Sequence, residues 1–224
     1  MTPTRPPIGT VPFQRLAIFV DGWNFKCAAY DALGIRVDFI KILEYFSQNS
    51  ILIRAYYYTG EWDDGGIMQF IRLTNPADPA AKKLEMEHQR EQDRKFWRFL
   101  NRNGYKVVRK AVKVFRDVHG EVKVKADLDL ELAIDMLTLA DRCDKQILIS
   151  GDSDFVPLVH AVGARGVRVA VVSTQHDEAF KNARFRASDD LIDVADEFIS
   201  IESIRRSIER EPTPVVKMAA AGAE

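Results

Sequence analysis

Cysteine is almost missing from this chain: Cys27 and Cys143 are the two in 224 residues. They lie far apart, in stretches that look helical, so a disulfide scaffold is excluded and a reduced, cytoplasmic chain is expected. Histidine is as sparse. His88, His119, His160 and His176 have no HxxxH or CxxC context, which argues against a structural zinc site. No run approaches the roughly 18 uninterrupted apolar residues of a membrane-spanning helix, so no membrane partner is expected. The first twelve residues (MTPTRPPIGTVP) hold four prolines and no apolar core of a secretory signal. Net charge is also close to absent, at −1 from 32 Lys plus Arg against 33 Asp plus Glu. What the chain does have is 46% hydrophobic and 29% charged residues. That composition excludes a disordered or low-complexity polymer.

The small net charge hides a segregation. Residues 102–125 carry eight basic side chains against Asp117 and Glu121, whereas residues 127–154 carry eight acids against Arg142 and Lys145. A basic strip beside an acidic cluster suits a protein that holds a polyanion next to bound cations. Alternating charges on solvated strand faces are the simpler explanation, and charge alone does not decide between them.

Along the chain, apolar runs alternate with helical patterns. Residues 16–20 (LAIFV), 51–59 (ILIRAYYYT), 146–150 (QILIS) and 167–172 are short, strongly apolar or β-branched runs, as in a parallel sheet buried on both faces. Helices are expected over 25–33, from Asp38 to about 48, from Asp78 to about 103, over 128–140 with apolar residues nearly all round, over 155–165, and from near His176. A last short strand is expected around 197–201, followed by a helix to about 210. Residues 60–79 (GEWDDGGIMQFIRLTNPADP) are punctuated by Gly and Pro and read as an irregular surface excursion. Its aromatic stretch, Trp62 to Phe70, is a candidate homodimer contact. Asp117 to Gly120 reads as a hairpin turn joining 105–116 to 121–125. The result is an α/β fold with a mainly parallel central sheet and an inserted β-hairpin. A flexible Pro-rich leader (1–14) precedes it, the domain spans 15–210 with an insertion and charged helix at 60–104, and a disordered tail (211–224) follows.

In open parallel sheets, ligands gather beyond the carboxyl ends of the strands. Two of the apolar strands end there in acids: LAIFV runs into Asp21, and QILIS into Asp152 and Asp154. Asp129 lies at the start of the apolar helix. If these strands are neighbours, several carboxylates share one small volume and need either protonation or a divalent cation. Oxygen ligands suit Mg2+ or Mn2+. Each acid also has a structural alternative. Asp21 before Gly22 can make a turn. One of Asp152 and Asp154 is expected to cap the following helix, Asp154 the more so, and Asn24 can cap its own. Asp135 suits a group that orients the ligands from behind or a buried ion-pair partner. Tyr57, Trp62 and Trp97 are candidate base-stacking rings, with core packing the more ordinary role.

The blocks VDGWNF (20–25), KADLDLELAIDM (125–136) and ILISGDSDFVPLV (147–159) resemble the signature blocks of the NYN domain family, in its LabA-like branch, a relative of the PIN-domain nucleases. GVRVAVV and SDDLIDVADEFISI resemble the family's later strand and helix blocks. The resemblance implies a PIN-like three-layer α/β/α sandwich that binds Mg2+ or Mn2+ through clustered aspartates and cleaves RNA, with endonucleolytic hydrolysis of single-stranded RNA expected. Carried onto this chain, it implies Asp21, Asp129, Asp152 and Asp154 as metal-binding catalytic acids, with Asn24 at the DGxN position. Asp135 falls at a further helix acid. The family's Lys-Gly-x-Asp reads Lys125-Ala126-Asp127-Leu128-Asp129 here, so Asp127 competes with Asp129, and spacing to LAID favours Asp129. Ser150 and Ser153 are expected to position phosphate or water from behind the acids, and Lys106, Arg109, Lys110 and Lys113 to track the RNA backbone. The alternative is a non-catalytic RNA- or protein-binding regulatory module on the same fold. A haloacid-dehalogenase-type phosphatase would need DxDx(T/V) after the first strand, where this chain has Asp-Gly-Trp-Asn.

Overall fold

The computed structural model describes residues 14–174 and 186–211. The leader through residue 13, the helix expected near His176 and the tail from residue 212 lie outside the described residues.

Strand β1 (Gln14–Asp21) carries the LAIFV run, whose five residues are all at most 1% exposed. A strand this buried must be covered on both faces, and it is. Leu16, Ile18 and Val20 enter one core, and Ala17 and Phe19 enter the other. The same alternation runs through β2 (Ser50–Glu61), β6 (Lys145–Ile149) and β7 (Arg168–Ser173). The six-stranded sheet is parallel throughout, in the order β3-β2-β1-β6-β7-β8, with β3 at Tyr105–Ala111 and β8 at Glu197–Ser200.

One face is covered by α1 (Gly22–Lys26), α2 (Phe39–Ser47), α4 (Pro79–Arg102) and α8 (Ile201–Ile208). The other is covered by α5 (Asp129–Leu139), α6 (Val156–Gly163) and α7 (Asp189–Val194). This is the three-layer α/β/α sandwich that the family resemblance implies. The chain starts at β1 in the middle, builds outward to β3, then returns to lay β6 on the other side of β1. Order therefore reverses between β1 and β6, where α/β sheets open a crevice at their carboxyl ends.

Three expectations change. Residues 60–79 are not an irregular excursion: β2 continues to Glu61, and α3 (Asp64–Thr74) follows. Asp63 accepts the Gly66 N–H at 2.6 Å, Ile67 is fully buried, and Asn75 ends the helix in a left-handed conformation at φ 46°. The Gly65-Gly66 pair in the first turn conceals this helix, because glycine weakens helical propensity. Gly66 lies in a tight place, since an added Cβ would sit 3.2 Å from Asp63 Oδ1 and 3.3 Å from Val112. Trp62 and Phe70, in the stretch expected as a homodimer contact, pack edge to face on each other at 5.6 Å.

The strand expected over 105–116 is two strands: β3 joins the main sheet, and only β4 (Lys113–Arg116) forms the antiparallel hairpin with β5 (Val122–Lys125). Its turn is tied by Asp117 Oδ1, which accepts the N–H groups of His119 and Glu121 at 2.9 Å. Helix α5, finally, is not buried all round. Leu132 and Met136 face the core, while Leu130 and Ile134 are 67% and 54% exposed. No helix among the described residues is long and apolar enough to cross a membrane.

Candidate metal centre

The register of β1 against β6 pairs Val20 with Ile149, so Asp21 and Ser150 leave the sheet side by side. Ser150 is buried. Its hydroxyl donates to Asp21 Oδ2 at 3.1 Å and accepts the Asp152 N–H at 3.3 Å. The other oxygen of Asp21 accepts the Asn24 N–H at 3.2 Å, capping α1. Asn24 in turn takes the Gly151 N–H on Oδ1 at 2.9 Å, which fixes its amide orientation because only an acceptor can face an N–H. Two glycines let these turns close. A Cβ on Gly22 would lie 2.6 Å from the Tyr58 carbonyl, and one on Gly151 would lie 2.9 Å from Ala187 Cα.

Between Asp152 and Asp154 it is Asp152 that caps: its Oδ1 accepts the Asp154 N–H at 3.0 Å. The expectation favouring Asp154 is reversed, because the chain makes a short 3-10 turn over Ser153–Phe155 before α6 begins. Asp154 is left exposed, its carboxylate free of capping. Asp129 arrives as the first residue of α5, in the layer opposite α1, and the start of α5 has no side-chain cap. One carboxylate oxygen from each of Asp129, Asp152 and Asp154 lies within 4.8 Å of the other two. Asp21 stands behind this trio, joined through Ser150, rather than within it.

The electrostatics follow from this crowding. Burial, then the neighbouring Asp127, Asp21 and Asp152 carboxylates, push Asp129 up to about 6. Asp21 is also raised, chiefly by burial, against the lowering effect of its hydrogen bonds from Asn24 and Ser150. Asp127 goes the other way: Lys125 at 2.8 Å holds it below the ordinary carboxylate range. Of the two competing acids, then, Asp129 joins the trio, and the exposed Asp127 is spent on its own lysine. Hard carboxylate oxygens that destabilise one another's charge are a donor set that fits Mg2+ or Mn2+.

The comparisons with known proteins bear on the whole of this arrangement. The NYN domain family model matches residues 15–202. The chain belongs to the NYN domain family. The Low amplitude and bright protein LabA of Synechococcus elongatus is 29% identical over 205 residues, covering 90% of this chain and 91% of its own, which supports the LabA-like branch. A crystal structure of a protein of unknown function from Vibrio parahaemolyticus shares the fold, with a TM-score of 0.59 and 24% identity. The match covers 87% of this chain and 96% of that one. The family is related to the PIN-like nucleases, so a nuclease-type or RNA-related module is the class of protein in hand.

Within the NYN domain, the other candidate residues are dispersed. Asp135 accepts the Tyr58 hydroxyl at 2.9 Å, bonds none of the trio and has no ion pair among the described residues. With Glu131, Ile134, Lys106, Val107 and Val108 it lines a shallow cavity of about 370 Å³. Ser153 is exposed, and of the two serines only Ser150 contacts an acid of the site.

The four basic residues do not make one strip, because β3 alternates its side chains across the sheet. Lys106 and Lys110 face α5: the Lys106 ammonium lies 5.5 Å from the Tyr56 ring centroid, and Lys110 bonds Glu131 and the Asp127 carbonyl at 2.7 Å. Arg109 faces α4, paired with Glu61 at 3.0 Å and lying over the Trp97 ring. Lys113 is exposed in the hairpin, with no ion pair among the described residues. Tyr57 and Trp97 are core side chains. The aromatic residue that stands open at the site is one sequence reasoning passed over: Trp23, 73% exposed, between Asp21 and Asn24.

Proposed function

We propose that this NYN domain is a divalent-metal-dependent ribonuclease that hydrolyses phosphodiester bonds of single-stranded RNA. The observation that carries the proposal is the Asp129–Asp152–Asp154 trio, with its oxygens within 4.8 Å of one another at the crevice where strand order reverses. These three would hold Mg2+ or Mn2+, with Asp21 adding charge from behind. Such a cation polarises a phosphoryl oxygen and lowers the pKa of water for in-line attack.

The chain's own residues supply the positioning. The Ser150 hydroxyl holds Asp21 and the backbone of Asp152 in one arrangement, so the two strand ends present their acids together. Asn24 locks the Gly151 turn without adding a charge. Asp129, with its carboxyl raised to about 6, sheds its proton most readily when a cation is present, which couples metal and RNA phosphate binding to its ionised form. Lys110, anchored between Glu131 and the Asp127 carbonyl two residues from Asp129, sets positive charge beside the acids. Lys106 extends it along the same face of β3. With Asp154 exposed at the rim, an internal stretch of strand can lie across the site, which favours endonucleolytic cutting.

The test is cleavage of a single-stranded RNA with Mn2+ by the wild type and Asp152→Asn. We expect at least a ~10²-fold fall in the variant, the scale seen when one group that stabilises transition-state charge is removed. Equal rates would remove Asp152 from the chemistry. Unchanged RNA with every divalent metal, alongside salt-sensitive RNA binding, would identify a binding module instead.

A further inference from the structure

Of the three tryptophans in the chain, two are occupied. Trp97 is buried beneath Arg109, and Trp62 packs against Phe70. Trp23 is different: 73% of it is exposed, and its recorded ring contact is the Lys26 ammonium, 5.7 Å from the ring centroid. An exposed aromatic is unremarkable by itself, but this one is held rigidly at a particular place.

Its Cα is two peptide steps from that of Asp21, so at most about 7.6 Å away. Asp21 caps the helix before it, and Asn24 is tied to Gly151 after it. Gly22 is pressed against the Tyr57 ring and the Tyr58 carbonyl, and Phe25 is buried. The backbone on both sides of Trp23 is therefore fixed to the sheet, and only its indole projects. The opposite wall repeats the pattern, with Leu130, 67% exposed, next to Asp129. Exposed apolar side chains within two residues of Asp21 and of Asp129 match a ligand that alternates charge with flat apolar rings, which is the make-up of a nucleic acid strand. A ring with one face still open beyond Lys26 can take a base by stacking, while Lys26 offers its charge to the adjoining phosphate.

We infer that Trp23 is the stacking platform for an unpaired nucleobase adjoining the scissile phosphate, with Lys26 contacting the neighbouring phosphate. The inference rests on the nuclease reading above and names the substrate feature the site grips. A base stacked within a duplex offers no free face, so the platform selects unpaired strands.

The experiment is single-turnover cleavage of a twelve-nucleotide oligoadenylate with Mn2+, separating half-saturating protein concentration from maximal rate, together with indole fluorescence during RNA titration. Trp23→Ala should raise the half-saturating concentration about tenfold while the maximal rate stays within about threefold. Trp23→Phe should recover most of the loss. Fluorescence quenching by RNA should be present in the wild type and absent from Trp23→Phe. Annealing the oligoadenylate to oligouridylate should raise the wild type's half-saturating concentration by a similar factor and leave that of Trp23→Ala little changed. Equal half-saturation in an active wild type and Trp23→Ala overturns the inference and leaves the nuclease proposal standing. A Trp23→Ala protein that changes oligomeric state with unaltered half-saturation assigns the ring to an interface between copies, which also overturns it. If the wild type cuts nothing, the nuclease proposal falls, and the fluorescence arm still decides: quenching retains Trp23 as an RNA contact, and an unquenched indole removes it.

Discussion

Asp129 is where the physics of the site is most exposed to measurement. Its carboxyl sits at about 6, above the ordinary value of about 3.9, because burial and neighbouring acids penalise its charged form. A carboxyl raised on folding binds its proton more tightly in the native state, so the metal-free protein should gain stability as pH falls from above 6 toward 4. Above pH 6 the penalty is fully present. Asp129→Asn removes it, and we expect the metal-free variant to melt higher at pH 7. Discounted for the half-exposed position, the gain is about 1 kcal/mol, or 2–4 °C at this chain length. We expect Mn2+ to raise the wild type's melting temperature and the same variant to lose that rise. Scanning fluorimetry with and without Mn2+ reads both effects, and a variant that melts with the wild type under both conditions would contradict the assignment. Sequence spacing pointed to Asp129 over Asp127, but the deciding fact, the Lys125 ion pair on Asp127, depends on how the hairpin hands over to α5. Trp23 carried a signal that went unused. Gly22 and Phe25 are three apart on a helix and both face the sheet, so the residue between them that follows Gly22 points elsewhere.

At the level of elements, the turns after β1 and β6 carry the site, and glycine is what lets them approach. Gly22→Ala would drive a Cβ to 2.6 Å from the Tyr58 carbonyl, a backbone atom that cannot swing aside. We expect overpacking of about 2 kcal/mol, lowering the melting temperature by roughly 4–8 °C. Metal affinity should fall as well, since α1 and Asp21 must shift. An unaltered melt would show that the helix start is looser than its contacts imply. The strand-end acids and their glycines were legible because a continuous apolar run that stops at Asp-Gly has few other meanings. Helix α3 was not, since Gly65 and Gly66 suppress local propensity, and the close neighbours of Gly66, Asp63 and Val112, are known only from the fold. The exposed face of α5 was misjudged for a related reason: apolar composition counts residues but not the partners available to cover them, and Leu130 and Ile134 have none in the opposing sheet.

For the molecule as a whole, the central strands are tied at one end and crowded at the other. At the tied end, Asp144 Oδ1 accepts from Arg15 Nη2 and Oδ2 from the Arg15 N–H, both at 2.8 Å, which holds the Asp144 carboxyl down at about 2. A depressed carboxyl gives stability that is present above about pH 4 and lost as pH falls toward 2. The two ends therefore oppose each other in acid, Asp129 gaining where Asp144 has yet to lose. Asp144→Asn should shrink the fall in melting temperature between pH 4 and 2.5 by about 2 °C, a modest effect because the pair is half exposed. A melt profile identical to the wild type's would mean the pair adds nothing measurable. The parallel sheet was legible from doubly buried runs separated by helical patterns, and the layer count came with the family resemblance. The reversal of strand order was not, because adjacency of β1 and β6 is a property of the closed sheet alone.

That adjacency also governs timing on the ribosome. Ala17 pairs with Gln146, so β1 waits for nearly 130 further residues before its inner neighbour exists. At translation speeds of about 5–20 residues per second, the delay is on the order of ten seconds. Throughout it, β1 has at most β2 beside it, so Asp21 ends a strand with one edge open and has yet to receive the acids that follow β6. A polypeptide that stops short of β6 is thus unable to gather its carboxylates, and the proposed metal site forms only after Asp154 has been added.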